Sequence, residues 1–81
     1  MITVLIHINN ADPVKADIDE MPKPSDNAII AKNPRDRAEK EVSWLEDGVT
    51  TVIFPWWRIT FIEVLPQESE EAEFPLPFRN D

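Results

Sequence analysis

The stretch Val49-Thr50-Thr51-Val52-Ile53-Phe54-Pro55-Trp56-Trp57-Arg58-Ile59-Thr60-Phe61-Ile62-Glu63-Val64-Leu65 decides the fold. It holds two apolar runs of β-forming residues joined by a Pro-Trp-Trp corner. Val52, Ile53 and Phe54 are strand formers. Ile59, Phe61 and either Ile62 or Val64 fall near a two-residue period, so each run offers a pleated apolar face to a core. Pro55 has no N–H to donate to a ladder, which places the corner at that residue.

The chain before this stretch repeats the same pattern. In residues 2–8, Ile2, Val4, Ile6 and Ile8 share one strand face, and Thr3, Leu5 and His7 share the other. The first face is the core side. Asn9-Asn10-Ala11-Asp12-Pro13 is a turn, because Asn and Asp tolerate left-handed backbone and proline fixes φ. Val14, Ala16 and Ile18 then alternate with Lys15, Asp17 and Asp19, the pattern of an antiparallel strand with one wet face. Glu20 to Asp26 carries Pro22 and Pro24 and reads as a rigid connection. Asn27 to Lys32 is a third strand, closed by Asn33-Pro34.

Residues 34–46 admit two readings. Asn33 can cap a helix with Pro34 at its first position, Ala38, Val42 and Leu45 on one stripe, and Gly48 past its end. Alternatively the segment is a long hairpin excursion with one helical turn, since Val42 to Leu45 and Val49 to Phe54 flank the turn signal Glu46-Asp47-Gly48. The hairpin excursion is the expectation. Both readings leave the same core, a small five-stranded, strongly bent antiparallel barrel over residues 1–65, mainly β.

Composition narrows the possible functions. A chain of 81 residues forms one small domain with a thin core, and without cysteine it has neither disulfides nor thiolate zinc sites. Tight packing or oligomerisation must supplement that core. Three Trp and four Phe supply more ring surface than a thin monomeric core covers. Sixteen acids against eight bases give a net charge of −8, which repels phosphate backbones and anionic membranes and argues against nucleic acid as a partner. The run Ile2 to Ile8 is too short for a membrane span and lacks the basic and small-residue flanks of a signal peptide, so a cytoplasmic, non-membrane protein is expected. One Gly against eight Pro implies stiff loops.

From Pro66 to Asp81 the composition changes to five acids and one Arg with no periodic apolar face, an acidic tail expected to be flexible. Within it, Phe74-Pro75-Leu76-Pro77-Phe78 is an extended type of peptide of the kind that docks in aromatic-lined grooves, with Phe74, Leu76 and Phe78 as anchors.

The five short strands, the bent antiparallel order and the last pair broken by a brief corner resemble the Sm-like small β-barrels, the group of Lsm proteins and Hfq. Val4 to Ile8 and Val14 to Ile18 look like that family's first hairpin. Asp26-Asn27 before Ile29-Ile30 looks like its Asp-x-x-Asn region with altered spacing. Where the family has an Arg-Gly step at the final corner, Phe54-Pro55 stands here, so its RNA-binding motif is not kept. The resemblance therefore implies architecture and a ring-forming habit through edge-strand pairing. Barrels of the SH3 type read almost the same.

Several residues invite a functional reading. Trp56, Trp57 and Arg58 form an aromatic platform with a cation, and Trp44 can extend it. Alternation along a strand would place one of the two adjacent tryptophans in the core and the other at a subunit contact. Arg35 and Arg37, with Lys32 and Lys40, form the one basic cluster, suited to a phosphate or to a neighbour's acidic tail. His7 alone does not make a metal site. Asp17, Asp19, Glu20 and Asp26 lie close in sequence but lack calcium-loop spacing, and Asp17 and Asp19 share a solvated face. Ser25, Ser43 and Ser69 lack a nucleophile context, and one glycine builds no phosphate loop. The expectation is no enzyme, no metal and no cofactor. The chain reads as a self-associating interaction or scaffold module, with two alternatives: a binder of a nucleotide-like anion at subunit junctions, or an acidic mimic of nucleic acid.

Overall fold

The computed structural model of the chain describes residues 1–66. The strands are β1 (Ile2–Ile8), β2 (Val14–Ile18), β3 (Ala28–Arg35), β4 (Thr51–Pro55) and β5 (Ile59–Val64), with a 3₁₀ turn at Trp56–Arg58. All neighbours are antiparallel, in the order β4-β3-β2-β1-β5. The sheet curls strongly into a half-barrel. No helix among the described residues is long and apolar enough to cross a membrane.

The concave side is the core. Val4, Ile6, Val14 and Ile18 are fully buried there, joined by Ile8, Ala16, Ile29, Ala31 and Phe54. Each of these Val and Ile side chains contributes about 1.5–3 kcal/mol when fully buried. The alternation expected for β1 and β2 is present, with one addition. Leu5, on the convex face, is buried as well. It borders a shallow groove with Lys15, Arg37 and Leu65, whose side chains shield it.

Two bulges shape the sheet. Opposite β2 the pairing passes from Lys15 with Arg35 to Asp17 with Lys32, so β3 carries one extra residue. Asn33 takes that place with φ of 53°, a left-handed conformation that Asn tolerates better than most residues. β3 therefore runs on through Pro34 to Arg35 instead of closing at Asn33-Pro34. Proline is admitted in a strand where pairing is already interrupted. The second bulge lies between β1 and β5, where His7 pairs with Phe61 but Ile8 pairs with Ile59, leaving Thr60 as the extra residue.

Residues 36–50 are the long excursion that joins the antiparallel neighbours β3 and β4, with neither a helix nor a further strand in it. Asp36 turns the chain, its carboxylate accepting the backbone N–H groups of Ala38 and Lys40 at 2.8 and 2.9 Å. Glu39 then adopts φ of 69°, which a helix cannot contain. Val42 to Leu45 is a turn whose apolar residues fold inward, Val42 buried and Leu45 packed on the core. The Glu46–Val49 turn, with Gly48 at φ of 81°, leads into β4 only at Thr51. At the other end of β4 the corner falls at Pro55, as its missing N–H requires.

Candidate functional site

The Trp corner is built by its neighbours. Asn9, at the end of β1, gives its backbone N–H to the Arg58 carbonyl at 2.8 Å and its side-chain amide to the Trp57 carbonyl at 2.9 Å. Its Oδ1 accepts the Thr60 hydroxyl at 2.6 Å. One asparagine thus fixes both the 3₁₀ turn and the adjoining bulge. Its composition marks it only as a turn residue, and the partners that give it this role lie about fifty positions away.

The two tryptophans diverge through a 3₁₀ turn, not through strand alternation. Trp56 packs partly buried on the core, and its indole N–H donates to the Asp26 carbonyl at 2.6 Å. Trp57 is 75% exposed, with the Arg58 guanidinium carbon 5.9 Å from its ring centroid. Such a cation–π contact at an exposed site contributes about 0.5–1 kcal/mol. Trp44 is half-exposed and meets Phe54 edge-on, 6.5 Å between centroids. It belongs to the loop that covers the core.

The basic cluster is largely committed to carboxylates on the convex face. Arg35 meets Asp17 through both Nη atoms at 3.4 Å and Glu39 through Nε at 3.1 Å. Lys15 pairs with Glu39, and Lys32 pairs with Asp19 at 2.9 Å. Asp17 also accepts from the Thr3 hydroxyl at 3.0 Å and the Asn33 amide at 3.3 Å. Burial pulls the Asp17 carboxyl upward, but the bonds from Asn33, Thr3 and Arg35, with the Arg35 charge, outweigh it and hold the group below its ordinary value. The Lys15 hydrogen bond, opposed by partial desolvation and aided by Arg35, likewise lowers Glu39. Arg37 lies apart on the groove beside Leu5 and Leu65.

Asp17, Asp19, Glu20 and Asp26 do not gather into a metal site. Among the described residues no three His, Asp or Glu side chains are grouped to hold a metal ion. His7 bonds Glu63 at 2.7 Å and stacks on Phe61 with centroids 4.1 Å apart. Hydrogen bonds and ring contacts join Trp57 to Arg58, Trp44 to Phe54, and Arg35 to Asp17, and among the described residues they do not join the tryptophans to Arg35 or Arg37. Phe74, Leu76 and Phe78 lie outside the described residues.

The reading from residues missed a second set of surfaces. Ile30 on β3 and Ile53 on β4 stand directly opposite each other on the convex face, 59% and 64% exposed. Phe61 and Val64 on β5 are each about half-exposed. β4 and β5 are the two ends of the sheet, and each has a single strand neighbour among the described residues. The run Ala28-Ile29-Ile30-Ala31 carries a faint signal, since a strand apolar at every position has an apolar outer face too. Comparison with protein-family models, with curated proteins and with solved structures finds no match.

Proposed function

We propose that this chain is a non-enzymatic, self-associating interaction module built on a small barrel of the Sm-like or SH3-like kind, in which copies meet through the edge strands and the exposed aromatic surface. The observation that carries the reading is the pair of sheet edges, β4 and β5, which present apolar Ile53, Phe61 and Val64, with Glu63 the one charged residue of the two strands where charges usually blunt such edges. Pairing an edge with a second copy satisfies its backbone groups and covers these side chains. Trp57 adds a large exposed ring to the same corner region.

The commitment of Arg35 to Asp17 and Glu39 favours this reading over an anion site, because a phosphate would have to displace two carboxylates. The tail residues Phe74, Leu76 and Phe78 belong to the proposal as an anchor for a neighbouring copy or another protein. Native mass spectrometry of the full chain tests the module: a closed oligomer is expected. A monomer at every concentration up to about 100 μM, where even weak specific dimers populate, overturns it.

A further inference from the structure

We infer that the convex face of β3 and β4, with the β2–β3 connection as its wall, docks an extended cationic-apolar peptide segment of a partner protein. The floor is apolar and bare. Ile30 and Ile53 form a direct cross-strand pair, and Met21, half-exposed, extends the patch from the connection. Beside them runs an open groove of about 290 Å³ bordered by Asp19, Glu20, Met21, Asp26, Ala28 and Ile30.

Charge selects the occupant. Three carboxylates border the groove and no lysine or arginine does. Lys32, the β3 cation next in sequence on the face of Ile30, is bound by Asp19. Glu20 has neither a hydrogen bond nor an ion pair among the described residues. An apolar floor with an acidic rim complements a segment that alternates aliphatic and basic side chains, since an extended chain turns successive residues to opposite sides. A second copy of this chain suits it less well, because its net charge of −8 brings more carboxylates to the rim.

The wall is preorganised. Pro22 and Pro24 stiffen the connection. Asp26 closes a turn on Lys23, its N–H bonding the Lys23 carbonyl at 2.9 Å and its carboxylate accepting the Lys23 N–H at 2.8 Å. The Trp56 indole holds the Asp26 carbonyl from below. A rim fixed in this way loses little entropy when it is occupied. The groove lies on the β2 side of Ile30, inward of the open edge of β4, so Met21, Ile30 and the acidic rim stay available when β4 pairs with another copy, and only Ile53 is shared with that edge.

The test uses the ¹⁵N-labelled full chain titrated with the acetylated, amidated hexapeptide Lys-Val-Lys-Val-Lys-Val, and with its Glu-Val counterpart. Amide shifts concentrated at Glu20 to Asp26, Ile30 and Ile53 are expected with the lysine peptide alone. The Ile30→Ser/Ile53→Ser double variant should weaken binding about tenfold, and Glu20→Lys by a similar factor. Both positions are exposed, so the fold is retained, and the mapping on the unaltered chain needs no variant. No shifts at these residues overturns the proposal. So does lysine-peptide binding that is unchanged in the double variant, which would be diffuse attraction to an acidic chain, or equal binding of the glutamate peptide. A fall in oligomeric mass on the double substitution, without any effect on peptide binding, assigns the face to a second copy and also overturns it.

Discussion

The Asp17 carboxylate and the Arg35 guanidinium meet across β2 and β3, Nη1 lying 3.4 Å from Oδ2 and Nη2 3.4 Å from Oδ1. The β3 bulge makes the meeting possible, because it brings Arg35 opposite Lys15, the residue two before Asp17. Four groups thereby depend on one carboxylate: Thr3, Asn33, Arg35 and, through Arg35, the Glu39 turn.

That dependence sets a pH response. The folded-state carboxyl of Asp17 lies below its ordinary value of 3.8. A depressed carboxyl contributes stability that is fully present above the ordinary value and is lost as the pH falls through the folded one. Asp17→Asn keeps the shape and removes the charge, so it should cost about 1–2 kcal/mol near neutrality. Urea midpoints of both proteins, taken at neutral pH and near pH 3, check this. The acid-induced drop is expected to be smaller in the variant, and an equal drop would place the acid sensitivity elsewhere.

Asn33 is expected to be a selective backbone position. Its φ of 53° suits Asn or Gly and penalises a β-branched residue by about 1–2 kcal/mol. Asn33→Gly keeps the backbone and loses only the bond to Asp17, whereas Asn33→Val loses both. Thermal denaturation of the two variants should therefore rank Val well below Gly, and equal melting temperatures would show that the bulge is not the constraint.

This bulge also marks where sequence reading stops. β1 and β2 are legible because their two-residue period is set by burial of one face, and Pro55 places the corner because a missing donor is a local fact. The extension of β3 through Pro34 is not local. Whether proline closes a strand or sits at a bulge depends on the partner strand's register, which Asn33 alone does not reveal. Val42 and Leu45 show the same limit. Their spacing suits a helix stripe, yet they turn inward because Asp36 and Glu39 bend the loop back over the core. Of the candidate site, the sequence pattern separates one tryptophan of the pair from the core but does not say that Trp57 is the exposed one, because a 3₁₀ turn and not strand alternation orients them. The roles of Asn9 and Asp17 are not legible either, because their partners are brought to them only by the folded sheet.

Asn9 predicts a coupled loss at the corner. Asn9→Ala removes the amide to Trp57 and the acceptor for Thr60 while leaving the backbone bond to Arg58. Two exposed side-chain bonds cost together about 1–2 kcal/mol. Faster amide exchange is expected at Trp57 to Thr60 than at the centre of β1. Uniform acceleration across both would mean that the corner does not open on its own.

Trp56 and Trp57 should respond differently to the same substitution. Trp56→Phe keeps a ring on the core and removes the bond to the Asp26 carbonyl, so it should cost about 1 kcal/mol and speed amide exchange through Lys23 to Asp26. Trp57→Phe alters an exposed ring, and its effect on folding should stay within about 0.5 kcal/mol. If that ring lies between copies, the substitution instead shifts the oligomer's dissociation to lower dilution. Paired measurements of urea midpoint and of mass against concentration separate the two residues. A stability loss at Trp57 matching that at Trp56 would show that the exposed ring packs on its own sheet.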